Sequence, residues 1–519
     1  MRAYFSHYAK NLTLDWDSFM LLGRKSNENR NDKFSVSVLA INCSANVNGV
    51  SRIHGRVSRE MFRYLYDGYF TEEINIGYVT NGVHLPTWVA KEWEDIYLKY
   101  FGKEFLNNES NPNYWEKIYE ASDNEIWQTH QILKRKLIDF IKQRLQTEMQ
   151  RRGENPSLCV KTIDGLDENK LLVGFARRFA TYKRSGLLFT DLERLQKIVD
   201  KGVCFVFAGK AHPNDKAGQE LIKNIINISR MPQFVGKVIF MENYDMYVAK
   251  HLVRGADVWL NTPTRPLEAS GTSGEKAIMN GVVNFSVLDG WWAEGYTQGA
   301  GWALSEKQTY TDQNSQNILD SEFIYSTFEN EIIPTYYTKT NNIPLAWVSH
   351  IKNTIAKISP HFTMKRQLED YFNKYYNKMF LRFDLMQANN NSKALTYALW
   401  KKTIKEKWNN MELLKLDLPD TDAESFSFEQ TFKVKITLYT GEINPQNVGV
   451  EMIIADKENG NITAKKIVEL QLLENNNHKG VYGLEYGNFS SGVHNYAFRI
   501  FPKHDLMPFR TDVNLLKWI

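Results

Sequence analysis

Between Leu171 and Leu288 the chain alternates short, continuous apolar runs with longer stretches of helical spacing. The runs are LLVGFA, CFVFAG, KVIFM and DVWLN, and stretches such as KRSGLLFTDLERLQKIV and KAGQELIKNIINI separate them. Apolar runs without alternation, spaced by helices, predict a parallel sheet covered on both faces. Ligands of such sheets bind beyond the carboxyl ends of the strands. That places Ala176 to Arg178, Gly209 to His212 and Asn261 to Thr264 at a cleft.

The flanking pattern differs. A helical fragment around Leu12 to Gly23 precedes a polar turn, SNENRND, and reads as the tail of something larger. The run SVSVLAINCSANVNGVSRIHGRVSREMFRYL passes from continuous apolar to helical spacing. In NIGYVTNGVHLPTW, Gly82 permits a tight turn after a short strand. Amphipathic helices follow from Lys91 to Lys103 and from Glu125 to Arg152, and again across 318–410, including NTIAKIS and MKRQLEDYFNKYY. Polar DLPDTDAESFS marks a linker at 417–427. Beyond it, FKVKITLYTG, GVEMIIAD, KKIVELQLL, GVYGLEY and HNYAFRIFP alternate, separated by turns such as KENGN and NFSSG. They predict a small all-β, sandwich-like domain over 428–519. No internal repeat of domain size is present.

Length changes this picture little: 519 residues give a prior of about three domains, enough to bury a large core. Charge excludes more. Lys plus Arg (64) against Asp plus Glu (60) leaves +4, which is no basis for a field drawing in nucleic acid or a membrane surface. Any anion must be held by a local pocket. Cys43, Cys159 and Cys204 have no metal-ligand or redox spacing, and so sparse a set fits a reducing cytoplasm. The segment MRAYFSHYAKN lacks a signal-peptide pattern, and no window reaches about 18 apolar residues.

Candidate chemistry concentrates in PTRPLEASGTSGEKAIMNG, residues 263–281. Ser270, Gly271, Thr272, Ser273 and Gly274 form a small-residue turn before a helix, where free backbone donors and hydroxyls can hold a phosphate. Lys276 follows, either as a point charge or as the amine of a Schiff base. Glu268 can accept hydrogen bonds from sugar hydroxyls. Taken alone, such a turn is more often only a tight connection. GFARRFATYKR gathers Arg177, Arg178 and Lys183 at a strand end with no acidic neighbour in sequence, which suits phosphate. A solvated helix face is the bland alternative. Lys210 and His212 in AGKAHPND, the pair Trp291 and Trp292, and Asn81, His84 and Trp88 on one loop each have a structural reading beside a binding one. His54 reads as structural. No HExxH, GxSxG, paired CxxC or Walker A run occurs, so a metal centre is not supported.

EASGTSGEKAIMNG, with RRFATYKR, AGKAHPND and SVLDGWWAEGY, resembles the α-glucan phosphorylases, in particular the bacterial maltodextrin/glycogen branch with the SGTSG loop. The resemblance spans nearly the whole chain. It implies a glycosyltransferase-B type α/β fold, with a Rossmann-like C-terminal lobe at 46–416 and the β-rich domain after it. It implies pyridoxal 5'-phosphate carried on Lys276, with the cofactor's phosphate exchanging a proton with inorganic phosphate. It also implies phosphorolysis of the non-reducing end of an α-1,4-glucan, through an oxocarbenium-like centre, to α-glucose 1-phosphate. Position by position, Arg178 and Lys183 match residues holding substrate and cofactor phosphate, and Arg177 matches a cofactor contact that is lysine in animal and yeast enzymes. Thr272 and the Ser273 amide match the cofactor-phosphate cradle, and Trp88 an aromatic residue beside the cofactor. Glu268, Ser270, Gly271, Tyr182 and Asn81 match contacts to glucose hydroxyls.

Three departures stand against the family pattern. Ser273 replaces a glycine, and Glu275 replaces a methionine, placing a carboxyl beside the lysine. Several hundred residues expected ahead of Met1 are absent, so residues 1–45 read as a remnant of the N-terminal lobe, and Ala45 stands where a sugar-contacting histidine is expected. The chain thus resembles a C-terminal fragment, which leaves open whether it catalyses alone and whether it forms a homodimer or associates with the missing N-terminal half. Two other readings stay beside the phosphorylase: a nucleotide-sugar glucosyltransferase of the same fold, and a non-catalytic glucan-binding or assembly fragment.

Overall fold

The apolar runs form β1 (Leu171–Ala176), β2 (Val203–Ala208), β3 (Val238–Met241) and β4 (Val258–Asn261), and the sheet continues into β5 (Val283–Val287) and β6 (Gly301–Leu304). The polar residues within VNFSV and the glycine opening GWAL dilute the apolar signal of these last two strands. The computed structural model describes residues 1–25, 32–304, 312–419, 431–458, 461–476, 478–487 and 495–519. Strand order is β3-β2-β1-β4-β5-β6, with every neighbouring pair parallel.

Successive residues of a strand face opposite sides, and each side has its own core. Val173, Phe175, Phe205, Phe207 and Leu260 share one, while Leu172, Ala176, Cys204, Val206 and Trp259 share the other. Helices α1 (Asp123–Arg151), α2 (Leu192–Asp200), α3 (Lys216–Ser229) and α4 (Met246–Gly255) cover them. Leu195, Ile198, Ile225 and Ile228 enter the first core, and Leu137, Ile141, Val248 and Leu252 the second. Burying each such side chain stabilises by about 1.5–3 kcal/mol. Strand succession turns back between β1 and β4, so the loops after Ala176 and Asn261 open a crevice at the carboxyl ends.

At the amino end of β4, Asp257 staples the sheet to α1. Its carboxylate lies 2.7 Å from His130 Nε2 and accepts from Lys134 Nζ and the Leu172 N–H, both at 2.6 Å. His130, Lys134 and Asp257 are completely buried. Burial opposes the charge on Asp257, but Lys134 and His130 outweigh it and hold its pKa below the ordinary value.

The sheet, its helices and the segment Gly49–Gly55 form one compact unit that extends over Tyr78–Asn373. A second unit comprises Met1–Asn48, Arg56–Gly77 and Lys374–Ile519. Its N-terminal part departs from the expected single fragment: helices run from Arg2–Asn11 and Trp16–Leu21, and the continuous apolar run folds as a helix, Val36–Asn42, capped by the Ser35 hydroxyl. Its C-terminal part is a sandwich. One sheet joins β7 (Glu412–Asp417), β8 (Phe432–Tyr439), β11 (Gln471–Asn475) and β12 (Lys479–Tyr486) in the order β11-β12-β8-β7. The other joins β9 (Val448–Glu458), β10 (Asn461–Glu469), β13 (Asn495–Pro502) and β14 (Lys517–Trp518) in the order β10-β9-β13-β14. Val434, Ile436, Met452, Ile454, Phe498 and Ile500 fill the space between them, with Ile404 and Trp408. Strand β7 precedes position 428 and pairs with β8, so the sandwich draws on residues on both sides of the expected linker. Within that linker 420–427 lie outside the described residues, as do 26–31 of SNENRND, 459–460 of KENGN and the turn at 488–492. Among the described residues no helix is long and apolar enough to cross a membrane.

Candidate active site

The loops that leave β1 and β4 are stitched together before they reach the crevice. Thr262 donates to the carbonyls of Lys183 and Arg184 at 3.1 and 3.2 Å. Arg184 returns Nε to Thr262 O and Nη2 to Pro263 O, both at 2.9 Å, and pairs with buried Asp320 at 2.6 Å. These bonds hold Arg184 at φ +48°, a left-handed conformation that is costly for a residue carrying a Cβ. Thr264 N–H donates to Tyr182 O at 2.7 Å. On the neighbouring β2 loop, a Cβ at Gly209 would collide with the Arg177 carbonyl, so only glycine lets these strand ends approach.

This stitching brings Arg177, Lys183 and Glu268 into one buried group. Glu268 Oε2 accepts from Arg177 Nη2 at 3.2 Å and from Lys183 Nζ. The cations that lack an acidic neighbour in sequence therefore have one in space. Two positive groups against one carboxylate leave a local positive charge. Arg177 Nε and Nη1 are buried and have no hydrogen-bond partner among the described residues. Burial pulls the Arg177 pKa down, and Glu268 opposes that. Lys183 Nζ also lies 4.6 Å from the Tyr182 ring centre.

The glycine-rich loop is fixed from beneath. Asp289 accepts from the N–H of Glu268 at 2.9 Å and of Gly290 at 2.8 Å, and burial lifts its pKa to about 6. Ser51 Oγ donates to Ala269 O at 2.7 Å, and Trp291 N–H to Ser270 O at 2.9 Å. Gly271 takes φ +71°, then α5 (Ser273–Ile278) begins. Gly271, Thr272 and Ser273 remain half-buried. Ser273 Oγ accepts from Trp259 Nε1 at 3.0 Å, which gives the serine an anchoring bond that glycine lacks.

Lys276 rises from α5 with Nζ 4.1 Å from the centre of the Trp88 ring. Burial pulls its pKa down, with Glu275 acting against the shift. Glu275 itself is fully buried, neither carboxyl oxygen has a hydrogen-bond partner among the described residues, and burial drives its pKa well up. Burial thus works against the negative charge expected beside the lysine.

Other candidates fall elsewhere. Arg178 is exposed, apart from the buried cations. Asn81 Oδ1 accepts from Gln367 at 3.1 Å, and its carbonyl from Arg366 at 2.8 Å, so its side chain is engaged with the helix Met364–Tyr371. Gly82 does not make a tight turn of positive φ; a Cβ there would collide with the Thr363 carbonyl. Trp291 and Trp292 are core residues, and Trp291 packs edge-on against Phe362 at 4.8 Å. Lys210 and His212 are exposed, and His212 accepts from Asn214 N–H within its own turn. His54 accepts from Val50 N–H at 3.1 Å and is structural. Sequence reading missed Asp289, Arg184, Asn280 and Arg254, because the bonds that tie each to another segment, Glu268, Thr262, Ala90 and Trp88, cross 21 to 190 positions and leave no local signal.

The sheet order, with the buried Arg177, Lys183 and Glu268 at its turning point, marks a Rossmann-like α/β lobe of the glycosyltransferase-B kind. Comparison with known proteins takes this further. A carbohydrate phosphorylase model matches residues 15–294, and a glycogen phosphorylase C-terminal domain model matches residues 408–519. The chain belongs to the carbohydrate phosphorylase family. It is 37% identical over 511 residues to a maltodextrin phosphorylase of Thermococcus litoralis, covering 97% of this chain and 58% of that protein. It is 42% identical over 356 residues to a glycogen phosphorylase of Aquifex aeolicus, covering 68% and 51%. A glycogen phosphorylase of Mycobacterium tuberculosis is 30% identical over 499 residues, covering 93% and 56%. The chain thus spans little more than half the length of these relatives.

Proposed function

We propose that the chain carries the cofactor-binding lobe of an α-glucan phosphorylase. The reaction is phosphorolysis of the non-reducing α-1,4-glucosyl unit of glycogen or maltodextrin to α-glucose 1-phosphate. The observation that carries this reading is the buried Arg177 guanidinium, whose Nε and Nη1, beside Lys183 and Glu268, have no partner among the described residues. Orphaned buried donors of a cation fit a phosphate.

Pyridoxal 5'-phosphate fits the residues present. Lys276 is a half-buried amine whose lowered pKa favours the neutral, nucleophilic form, and Trp88 offers a flat surface beside it. Arg177, Lys183, Thr272 and the Ser273 amide would hold the cofactor phosphate. When bound, the cofactor supplies a phosphate group that serves as an acid–base partner for inorganic phosphate. This chain's own part is to bind and to compensate charge: Lys183 and Arg178 neutralise substrate phosphate, and Glu268 keeps the cations from repelling one another when the pocket is empty. Glu268, Ser270, Gly271, Tyr182 and Asn81 orient the glucose hydroxyls. With Glu268 already held by two cations, its remaining lone pairs are the ones available to a sugar. Three unbonded cysteines suit a reducing cytoplasm.

The test is borohydride reduction after addition of pyridoxal 5'-phosphate, read by peptide mass spectrometry. A phosphopyridoxyl adduct on Lys276, with glucose 1-phosphate released from maltodextrin and phosphate, is the expected result. Folded protein with Lys276 unmodified would overturn the reading.

A further inference from the structure

Asn280 lies one turn beyond Lys276 and is completely buried. Both donors and the acceptor of its amide are in use. Oδ1 accepts from the Ala90 N–H at 2.8 Å, and Nδ2 donates to Trp88 O at 3.1 Å and Lys276 O at 2.9 Å. The reverse orientation would set an oxygen against two carbonyls, so the partners fix which way the amide points. One side chain therefore grips the backbone of the lysine and the backbone of the aromatic residue whose ring lies under the amine.

Arg254, at the end of α4, completes the grip. Its Nε donates to Trp88 O at 3.1 Å, and its Nη2 to Thr87 O at 3.3 Å and Val89 O at 2.9 Å. The Trp88 carbonyl is thus met by two donors. Tyr97 OH donates to Met279 O at 2.8 Å and pins the residue before Asn280. Lysine has four rotatable bonds and wanders when its surroundings allow it. Here the two main chains that set its origin and its resting surface are tied to each other through a single amide.

We propose that Asn280 is a positioning residue: it fixes the Lys276 amine over the Trp88 ring, at the place from which that amine meets its carbonyl partner. The cofactor role of Lys276 rests on the function proposed above; the positioning of its amine does not. Asn280 carries no charge, so a change in the behaviour of the amine after a neutral substitution there reports geometry and not a lost charge.

Two measurements on the whole chain separate the two ideas. The first uses no cofactor: Lys276 is acetylated with acetic anhydride across a pH series and compared, peptide by peptide, with exposed Lys223. In wild type the Lys276 profile lies at lower pH than that of Lys223. In Asn280→Leu, which keeps the size, loses the donors and adds no charge, and in Asn280→Ala, it moves toward the Lys223 profile, with circular dichroism showing a folded chain. A Lys276 profile unchanged in folded Asn280→Leu overturns the proposal, whether or not Asn280→Ala folds. The second is a titration with pyridoxal 5'-phosphate followed by borohydride trapping, in which both variants need at least tenfold more cofactor for equal labelling of Lys276. Wild type that is never labelled while the acetylation profile still shifts removes the cofactor role and keeps the positioning. Equal labelling with unshifted profiles does the opposite.

Discussion

Arg177 donates from Nη2 to Glu268 Oε2 at 3.2 Å, a bond that closes the loop after β1 onto the loop after β4. Lys183 donates to the same oxygen, so two buried cations share one carboxylate. Glu268→Gln keeps the shape and removes that charge. Breaking a buried pair from one side costs about 3–5 kcal/mol. We predict a loss of that order in urea unfolding without phosphate, and a larger recovery on adding inorganic phosphate than wild type shows. A variant indifferent to phosphate would argue that the pocket does not hold an anion.

Glu275 gives a pH test with a definite sign. Its folded pKa is raised well above 4.5 by burial, so above pH 4.5 the unfolded chain releases a proton that the folded chain keeps. Stability then falls as pH rises through the window between the ordinary and the raised value, at about 1.4 kcal/mol per pH unit for one group. Glu275→Gln has no such proton to release. Its unfolding midpoint should gain on wild type more at pH 8 than at pH 5. A difference independent of pH would mean that the carboxyl is ionised in the fold.

For Lys276 the window lies higher. Its folded pKa is lowered from 10.5 by burial, so the folded state gives up a proton that the unfolded state keeps. Wild-type stability rises with pH across that window. Lys276→Met should therefore stabilise the cofactor-free chain at neutral pH, less about 0.5–1 kcal/mol for the lost contact with Trp88. The advantage should shrink toward pH 10.5, which paired urea titrations at the two pH values will show.

Asp257 serves stability and not chemistry. Asp257→Asn leaves the buried Lys134 ammonium without its counter-charge, and we expect a loss of about 3–5 kcal/mol. Adding Lys134→Met should recover part of it. The double-mutant cycle measures the coupling; purely additive losses would show that the pair is not an energetic unit.

The legible part of the fold was the part encoded locally. LLVGFA, CFVFAG, KVIFM and DVWLN are strands because both of their faces are buried, and an unbroken apolar run records that directly. VNFSV was less readable, since Asn284 and Ser286 are buried in a strand whose polar content resembles a half-exposed one. The run at Val36–Asn42 is a helix opened by the Ser35 cap, and of its apolar residues only Val38 is buried. In the candidate site, the turn before Lys276 could be found from its small residues. The pairing of Glu268 with Arg177 and Lys183 could not, since nothing in either segment records which partner the fold will bring to it. The grip of Asn280 on Trp88 spans 192 positions and leaves no trace in spacing.

The strand order has a consequence for the chain while it is being made. Central strand β1 needs β4 beside it, and parallel neighbours cannot meet through a hairpin. The Leu172–Asp257 and Lys183–Glu268 bonds each join residues 85 positions apart. At a synthesis rate of about 5–20 residues per second, the basic end of β1 waits roughly 4–17 s for its carboxylate to be translated. Through that interval Arg177 and Lys183 are bare cations on a nascent sheet lacking half its width, so translation pausing shortly before Glu268 would lengthen the most vulnerable stage in the birth of this lobe.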